Sequence, residues 1–279
     1  MRPPLLLTLT LLLTLSPELL RAEGVMEDDE RGTLEYGIGL THLNFPHYPG
    51  ADQRHAVTLP FPFLTYYSDR LDVDGSSIRG LFWEHEAWSL DISTGGALRV
   101  DADDNEARED MPGLGWLAEV GPALRYAPEW AQRSPDWQYR ISLPLRQAIE
   151  LDGTSLSRKG WLLAPNLHVK RDFHGANHRW EFQTRIGLRF GSRDYHEHFY
   201  GVGEAFETTE RPAYQASEGL TAYTLSMGLA WRWQQWWLGG FVQYSDFSDG
   251  IISDSPLMRD TRQAAFGLSG AWILGQRRL

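Results

Sequence analysis

Residues 179–191, RWEFQTRIGLRFG, place Trp180, Phe182, Thr184, Ile186, Leu188 and Phe190 at every second position, with Arg179, Glu181, Arg185 and Arg189 among the residues between. Side chains alternate across a strand, so such a segment has one apolar and one charged face. The same period returns along the chain in Leu34, Tyr36, Ile38, Leu40; Val57, Leu59, Phe61, Phe63; Trp88, Leu90, Ile92; and Trp116, Ala118, Val120, Leu124, Tyr126. It continues in rows starting at Trp137, Trp161, Tyr223, Trp236 and Phe266. This period of two predicts about eleven strands and no helical stripe, many long enough for the roughly 9–11 residues that a tilted strand needs to cross a bilayer. The segment 70–83 alternates poorly and is expected to hide a hairpin at DGSS or a bulge. Pro60, Pro62, Pro122, Pro144 and Pro165 fall inside predicted strands, where bulges or weakened pairing are expected.

The faces opposite the apolar rows carry Asp91, Glu119, Arg125, Arg140, Arg146, His168 and Lys170. A soluble sandwich also has polar faces, but three features favour a membrane barrel. Trp and Tyr stand at the row ends, as an interfacial girdle requires. Glycine is scattered through the strands. In the second half, tight connections such as RWQQWW alternate with long polar ones at 192–217 and 248–258. The expected fold is therefore all-β: a transmembrane antiparallel up-and-down barrel of twelve strands, with ten as the alternative.

Composition narrows this further. The 279 residues carry a formal charge of −11, which disfavours nucleic acid as a partner, and contain no Cys. Mean hydropathy is −0.39, a value a membrane protein reaches only as a barrel with polar inward residues. Arg2, the apolar run Leu5–Leu15 and Ala22 predict a removed signal peptide over 1–22. The expected organisation continues with a short polar segment 23–32, the barrel over 33–274 and a basic tail 275–279.

Four segments together resemble the MipA/OmpV family of outer-membrane barrels: YGIGLTHLNFPHYPGADQ (36–53), LPFPFLTYYSDRLDVDG (59–75), HFYGV (198–202) and SDSPLMRD (253–260). Their order is preserved over nearly all of the predicted mature chain. The resemblance implies location in the outer membrane of a Gram-negative bacterium, among lipid and lipopolysaccharide, and a scaffold function tethering a lytic transglycosylase or murein synthase in the periplasm. The family-motif positions are Tyr48, Pro49, Gly50, Asp52, Tyr200, Gly201, Asp254, Ser255 and Pro256. The chain departs from the family's usual aromatic last residue by running on after Trp272-Ile273-Leu274 into GQRRL, and from its relatives by the histidines of YHEHFYGV.

Other chemistry is sparse. His196 and His198 would share one face of a strand with Asp194 nearby, but two histidines fall short of a zinc ligand set, and no metal or cofactor is expected. The run DADDNEARED (101–110) reads as a solvated outer loop. Arg140, Arg146, Arg179, Glu181, Arg185 and Arg189 are the candidate lumen-facing set. They either line an anion-attracting pore or pair with Glu181, Glu119 and Asp91 to plug a narrow barrel, and the plug is favoured. The motif stretches read as turns that fold their loops. No catalytic motif pairs a nucleophile with a base, so no enzyme is expected. The alternative to the scaffold is a narrow channel for small solutes or antibiotics.

Overall fold

The computed structural model describes residues 33–67, 71–74, 77–132 and 137–278. The expected signal peptide and the polar segment 23–32 lie outside the described residues. The strands are β1 (Thr33–Pro46), β2 (Arg54–Tyr67), β3 (Leu71–Asp74), β4 (Ser77–His85), β5 (Trp88–Ala97), β6 (Trp116–Tyr126) and β7 (Trp137–Asp152), followed by β8 (Ser155–Leu163), β9 (Asn166–His174), β10 (His178–Gly191), β11 (Gly219–Trp233), β12 (Trp236–Asp246) and β13 (Arg262–Arg278). A four-residue helix, α1 (Glu129–Gln132), and an eight-residue helix, α2 (Arg193–Tyr200), lie in connections.

Neighbours in sequence pair antiparallel except β8 and β9, and β13 returns to pair with β1, which closes the sheet on itself. β8 and β9 are two halves of one strand. Leu145 faces Leu163 and Ser142 faces Asn166 in a single register along β7, with Ala164 and Pro165 as the interruption. The ring thus has twelve strands, in agreement with the first expectation. Pro165 has no N–H to donate, and its carbonyl accepts instead from Leu188 N at 2.9 Å. At Pro122 the β6–β7 pairing skips from Val120–Gln147 to Ala123–Pro144. The poorly alternating segment holds both expected features: a hairpin in which Asp74 faces Ser77, and a bulge between Leu81 and Trp83.

The predicted apolar rows face outward with one exception. Ile38, Leu40, Ile141, Leu143, Ile186, Leu229, Leu238 and Leu268 are all exposed on the outer face. Along β2 the row Val57, Leu59, Phe61 and Phe63 points inward instead. Phe63 is buried with Ala271 and Ile273, and Phe61 and Trp237 pack against them. Both faces of LPFPFL are apolar, so hydropathy alone does not orient it; the inward glycine Gly39 leaves the space that the Phe61 ring fills, since a Cβ there would lie 2.5 Å from it.

The two ends differ. At one end the connections are the tight turns 86–87 and 234–235, with 127–132 and 175–177, and there β1 begins at Thr33 and β13 ends at Arg278. At the other lie the loops 47–53, 98–115, 192–218 and 247–261, with a single tight turn at 153–154. Barrels of this kind keep short turns in the periplasm and long loops outside. The aromatic girdle concentrates at the short-turn end, where Trp88 meets Tyr126 at 4.8 Å, Trp180 meets Trp231 at 6.0 Å and Trp236 stacks on Trp272 at 5.6 Å. The residues expected as a basic tail extend β13, with Gly275–Arg278 pairing with Thr33–Tyr36. Among the described residues, no helix is long and apolar enough to cross a membrane; the strands supply the outward apolar surface.

Candidate functional site

The largest buried core lies at the long-loop end. Inward wall residues Leu117, Ala148, Leu162 and Ala222 form one cluster with Tyr195, Phe199 and Tyr200 of α2 and with loop residues Tyr48, Phe247 and Leu257. The helix is thus folded against the inner wall as a cap. Ser192 starts it: its Oγ accepts from Tyr195 N at 3.3 Å and from Trp161 N at 3.0 Å, which ties the first turn to β8. Gly160, at φ +78, lets the wall approach this closely, because a Cβ there would lie 2.1 Å from Ser192 Oγ.

The four loops are laced together by hydrogen bonds. Tyr48 OH donates to Leu257 O at 2.8 Å, Gly50 N donates to Gln263 Oε1 at 2.8 Å, and Gly50 O accepts from Arg259 N and Asp260 N. Ser255 Oγ donates to Tyr200 O at 2.8 Å. Tyr48, Gly50, Tyr200 and Ser255, four of the motif positions, therefore meet in one knot. Gly201 ends α2, its N–H donating to Glu197 O. Asp52 and Asp254 stay exposed on the outer surface of the cap.

Arginines that the sequence reading did not single out complete the lacing. Arg108 donates to Phe199 O at 3.1 Å and to Pro112 O at 3.2 Å, and burial lowers its guanidinium pKa. Arg211 donates to Phe206 O, Ala107 O and Glu109 O, joining the 192–218 loop to the 98–115 loop. The acidic run 101–110 is therefore more than a solvated loop. Its carboxylates are exposed, but Asn105, Ala107 and Arg108 are buried in the cap.

His196 and His198 lie on a helix rather than a strand, so at about 100° per residue they point to different sides. His196 is fully engaged, Nδ1 with Ser217 O at 2.6 Å and Nε2 with Thr221 Oγ1 at 2.7 Å. His198 Nε2 lies 3.8 Å from Glu150 Oε1. Burial pushes the His198 pKa down to about 4, with Glu150 pulling it upward and Lys159 and Arg108 opposing protonation; burial lowers His196 as well. A histidine depressed below its unfolded value of 6.5 costs no stability above that pH. As the pH falls toward 4, the unfolded loop takes a proton that the folded cap refuses, and stability is lost. The cap is expected to become more open to protease between pH 6.5 and 4, and His198→Gln to remove part of that dependence. A pH-independent cleavage rate in the parent chain would refute this.

Below the cap the lumen is charged. Glu119 Oε2 accepts from Arg146 at 3.1 Å, and its Oε1 accepts from Tyr195 OH at 2.8 Å, with Arg189 3.9 Å away. Arg189 also donates to Tyr195 OH at 3.1 Å. Burial, then Glu119, raises the Tyr195 hydroxyl pKa and keeps it a donor. Arg146 reaches Ser93 Oγ at 2.8 Å. Toward the short-turn end, Arg179 pairs with Asp172 at 2.9 Å, Lys170 with Glu181 at 2.7 Å, Arg125 with Asp91, and Arg232 with both oxygens of Glu35 at 2.7 and 2.6 Å. Arg140 and Arg185 each face His168 in the register and share the inward face. Of the candidate lumen set, Arg146, Arg179, Glu181 and Arg189 each have an opposite charge within 4 Å. Glu35–Arg232 escaped the sequence reading because its members lie 197 residues apart.

No curated protein matches the chain. Among solved structures it is similar to the NanC porin (8% identity, 87% of this chain and 98% of that chain, TM-score 0.35). It is also similar to Ail of Yersinia pestis (10% identity, 90% and 100%, TM-score 0.25) and to OmpT of Vibrio cholerae (9% identity, 90% and 100%, TM-score 0.25). Residues 38–274 match the family described as MltA-interacting protein MipA; the chain belongs to that family and is an outer-membrane β-barrel protein.

Proposed function

We propose that this barrel is a non-enzymatic scaffold that tethers murein-remodelling enzymes, a lytic transglycosylase or a murein synthase, at the inner face of the outer membrane. The observation that carries the reading is the cap: a packed core laced from four loops occupies the long-loop end, above a lumen whose charges are largely paired. Such a barrel suits anchoring better than conduction. The family description, an MltA-interacting protein, supports a murein enzyme as partner.

Contact would fall on the short-turn end. There α1 projects Trp130, 64% exposed, with Tyr139 at 5.1 Å behind it. Residues 133–136 of the same turn lie outside the described residues. A large exposed aromatic on a turn is the kind of residue that dominates a protein interface.

The test is capture of solubilised envelope proteins on the purified barrel, read by mass spectrometry. A transglycosylase or synthase is expected to be recovered, and Trp130→Ala to weaken it by about 2 kcal/mol, roughly thirtyfold in affinity. Recovery of neither enzyme above an unrelated barrel would overturn the reading. Steady anion-selective current from the parent chain in a planar bilayer would favour the narrow channel instead.

A further inference from the structure

Beneath the cap lies a cavity of about 470 Å³, within the range of roughly 300–1,000 Å³ typical of small-molecule sites. Phe45, Leu117 and Phe247 give it apolar walls, and Gln243 and Ser245 add a few polar atoms. Arg189 also reaches it, but that charge already faces Glu119 and Tyr195. The lining includes Pro46, Gly96 and Trp116, at the long-loop ends of β1, β5 and β6.

The wall beside it is thin for a reason visible in the pairing. Among the described residues, β2 meets β3 only at Tyr66 and Tyr67, because the β3–β4 hairpin turns back at Asp74–Ser77. Among the described residues, β2 from Arg54 to Thr65 is paired with β1 alone and presents a free edge. Pro60 and Pro62, two apart, turn their nitrogens to the same side, and their unbroken register with β1 places that side on the free edge. Loss of two N–H donors there lowers the penalty of an unpaired edge in lipid. Leu59, on the inward side of β2, is 45% exposed at this place. β1 and β5, which flank this part of the ring, both line the cavity.

The geometry points to a binding site for a small, uncharged, hydrophobic molecule, taken up sideways from the outer leaflet past the free edge of β2. An anion finds no unneutralised cation in Arg189, and a polar headgroup meets only His47, Gln243, Ser245 and Gln263, of which Gln263 already bonds Gly50 N and Ala51 O.

The test uses the full barrel in phosphatidylcholine nanodiscs with 3-trifluoromethyl-3-phenyldiazirine, a hydrophobic photoprobe, and peptide mapping by mass spectrometry. Adducts are expected on Phe45, Leu117 or Phe247 as well as on the lipid-facing Leu238 and Val242. Ser245→Trp, which fills the cavity, should abolish the first set and spare the second. Should that variant fail to give a heat-modifiable barrel, Ala265→Phe fills the same space. A trimethylammonium derivative of the probe should leave the cavity unlabelled. Adducts confined to lipid-facing rows, cavity adducts that survive filling, or equal cavity labelling by the charged probe would overturn the proposal. None of these outcomes depends on murein enzyme capture.

Discussion

Tyr48→Ala is expected to release the cap while leaving the strand ring closed. The Tyr48 side chain is only 1% exposed, and truncating a buried aromatic costs about 3–5 kcal/mol through lost contacts and the cavity left behind. It also removes the donor to Leu257 O, and a buried carbonyl without a partner costs about 1–3 kcal/mol. Burial pushes the Tyr48 pKa up to about 12, so the hydroxyl remains a donor at any pH the cell meets. Amide hydrogen exchange should rise across 98–115, 192–218 and 247–261 together, because the knot joins the last two and Arg108 and Arg211 tie the first to 192–218. Exchange in the paired strands should not change, since the ladders do not pass through Tyr48. Tyr48→Phe should reproduce only the hydrogen-bond share. Gly50→Val should approach the alanine effect by another route: φ is +99, and a Cβ would sit 2.5 Å from Met258 Sδ. Unchanged loop exchange in Tyr48→Ala would show that the loops are held independently and that the knot is incidental.

The strand rows were legible because lipid outside and charge inside impose the same period on every crossing strand. LPFPFL defeats that reading, since its two faces are equally apolar and only inward space over Gly39 and contact with Trp237 orient it. Its prolines look like faults in a ladder when read from sequence. They become ordinary once β3 is seen to be too short to cover β2. The helix α2 was hidden for a different reason. YHEHFY sets its two histidines two apart, as on one face of a strand, and the signals that decide for a helix are the flanking Ser192 cap and Gly201. The inward arginines were legible as a face, but their partners were not. Arg146 and Glu119 are 27 residues apart and meet only because β6 and β7 pair in one particular register.

That register makes Glu119 the residue on which the lumen near the cap depends most. One carboxylate, 5% exposed, faces Arg146, Arg189 and the Tyr195 hydroxyl. Glu119→Gln keeps the shape and removes the charge, leaving two guanidinium groups without their counter-ion. Breaking a buried pair by deleting one partner costs about 3–5 kcal/mol, far more than an exposed pair contributes. The urea midpoint of the folded barrel should fall accordingly. Most of that loss is the penalty of unneutralised cations rather than the worth of the original contacts, so it should be recovered in part by also removing a cation. Glu119→Gln with Arg146→Met should therefore be more stable than Glu119→Gln alone, and a double-mutant cycle gives the coupling. The uncovered arginines should also draw anions toward the cap, which a planar bilayer would register as anion-biased current if the helix loosens with them. A double variant no more stable than the single one would mean that Arg146 is balanced elsewhere, and that the charge set around Glu119 does not hold α2 against the wall.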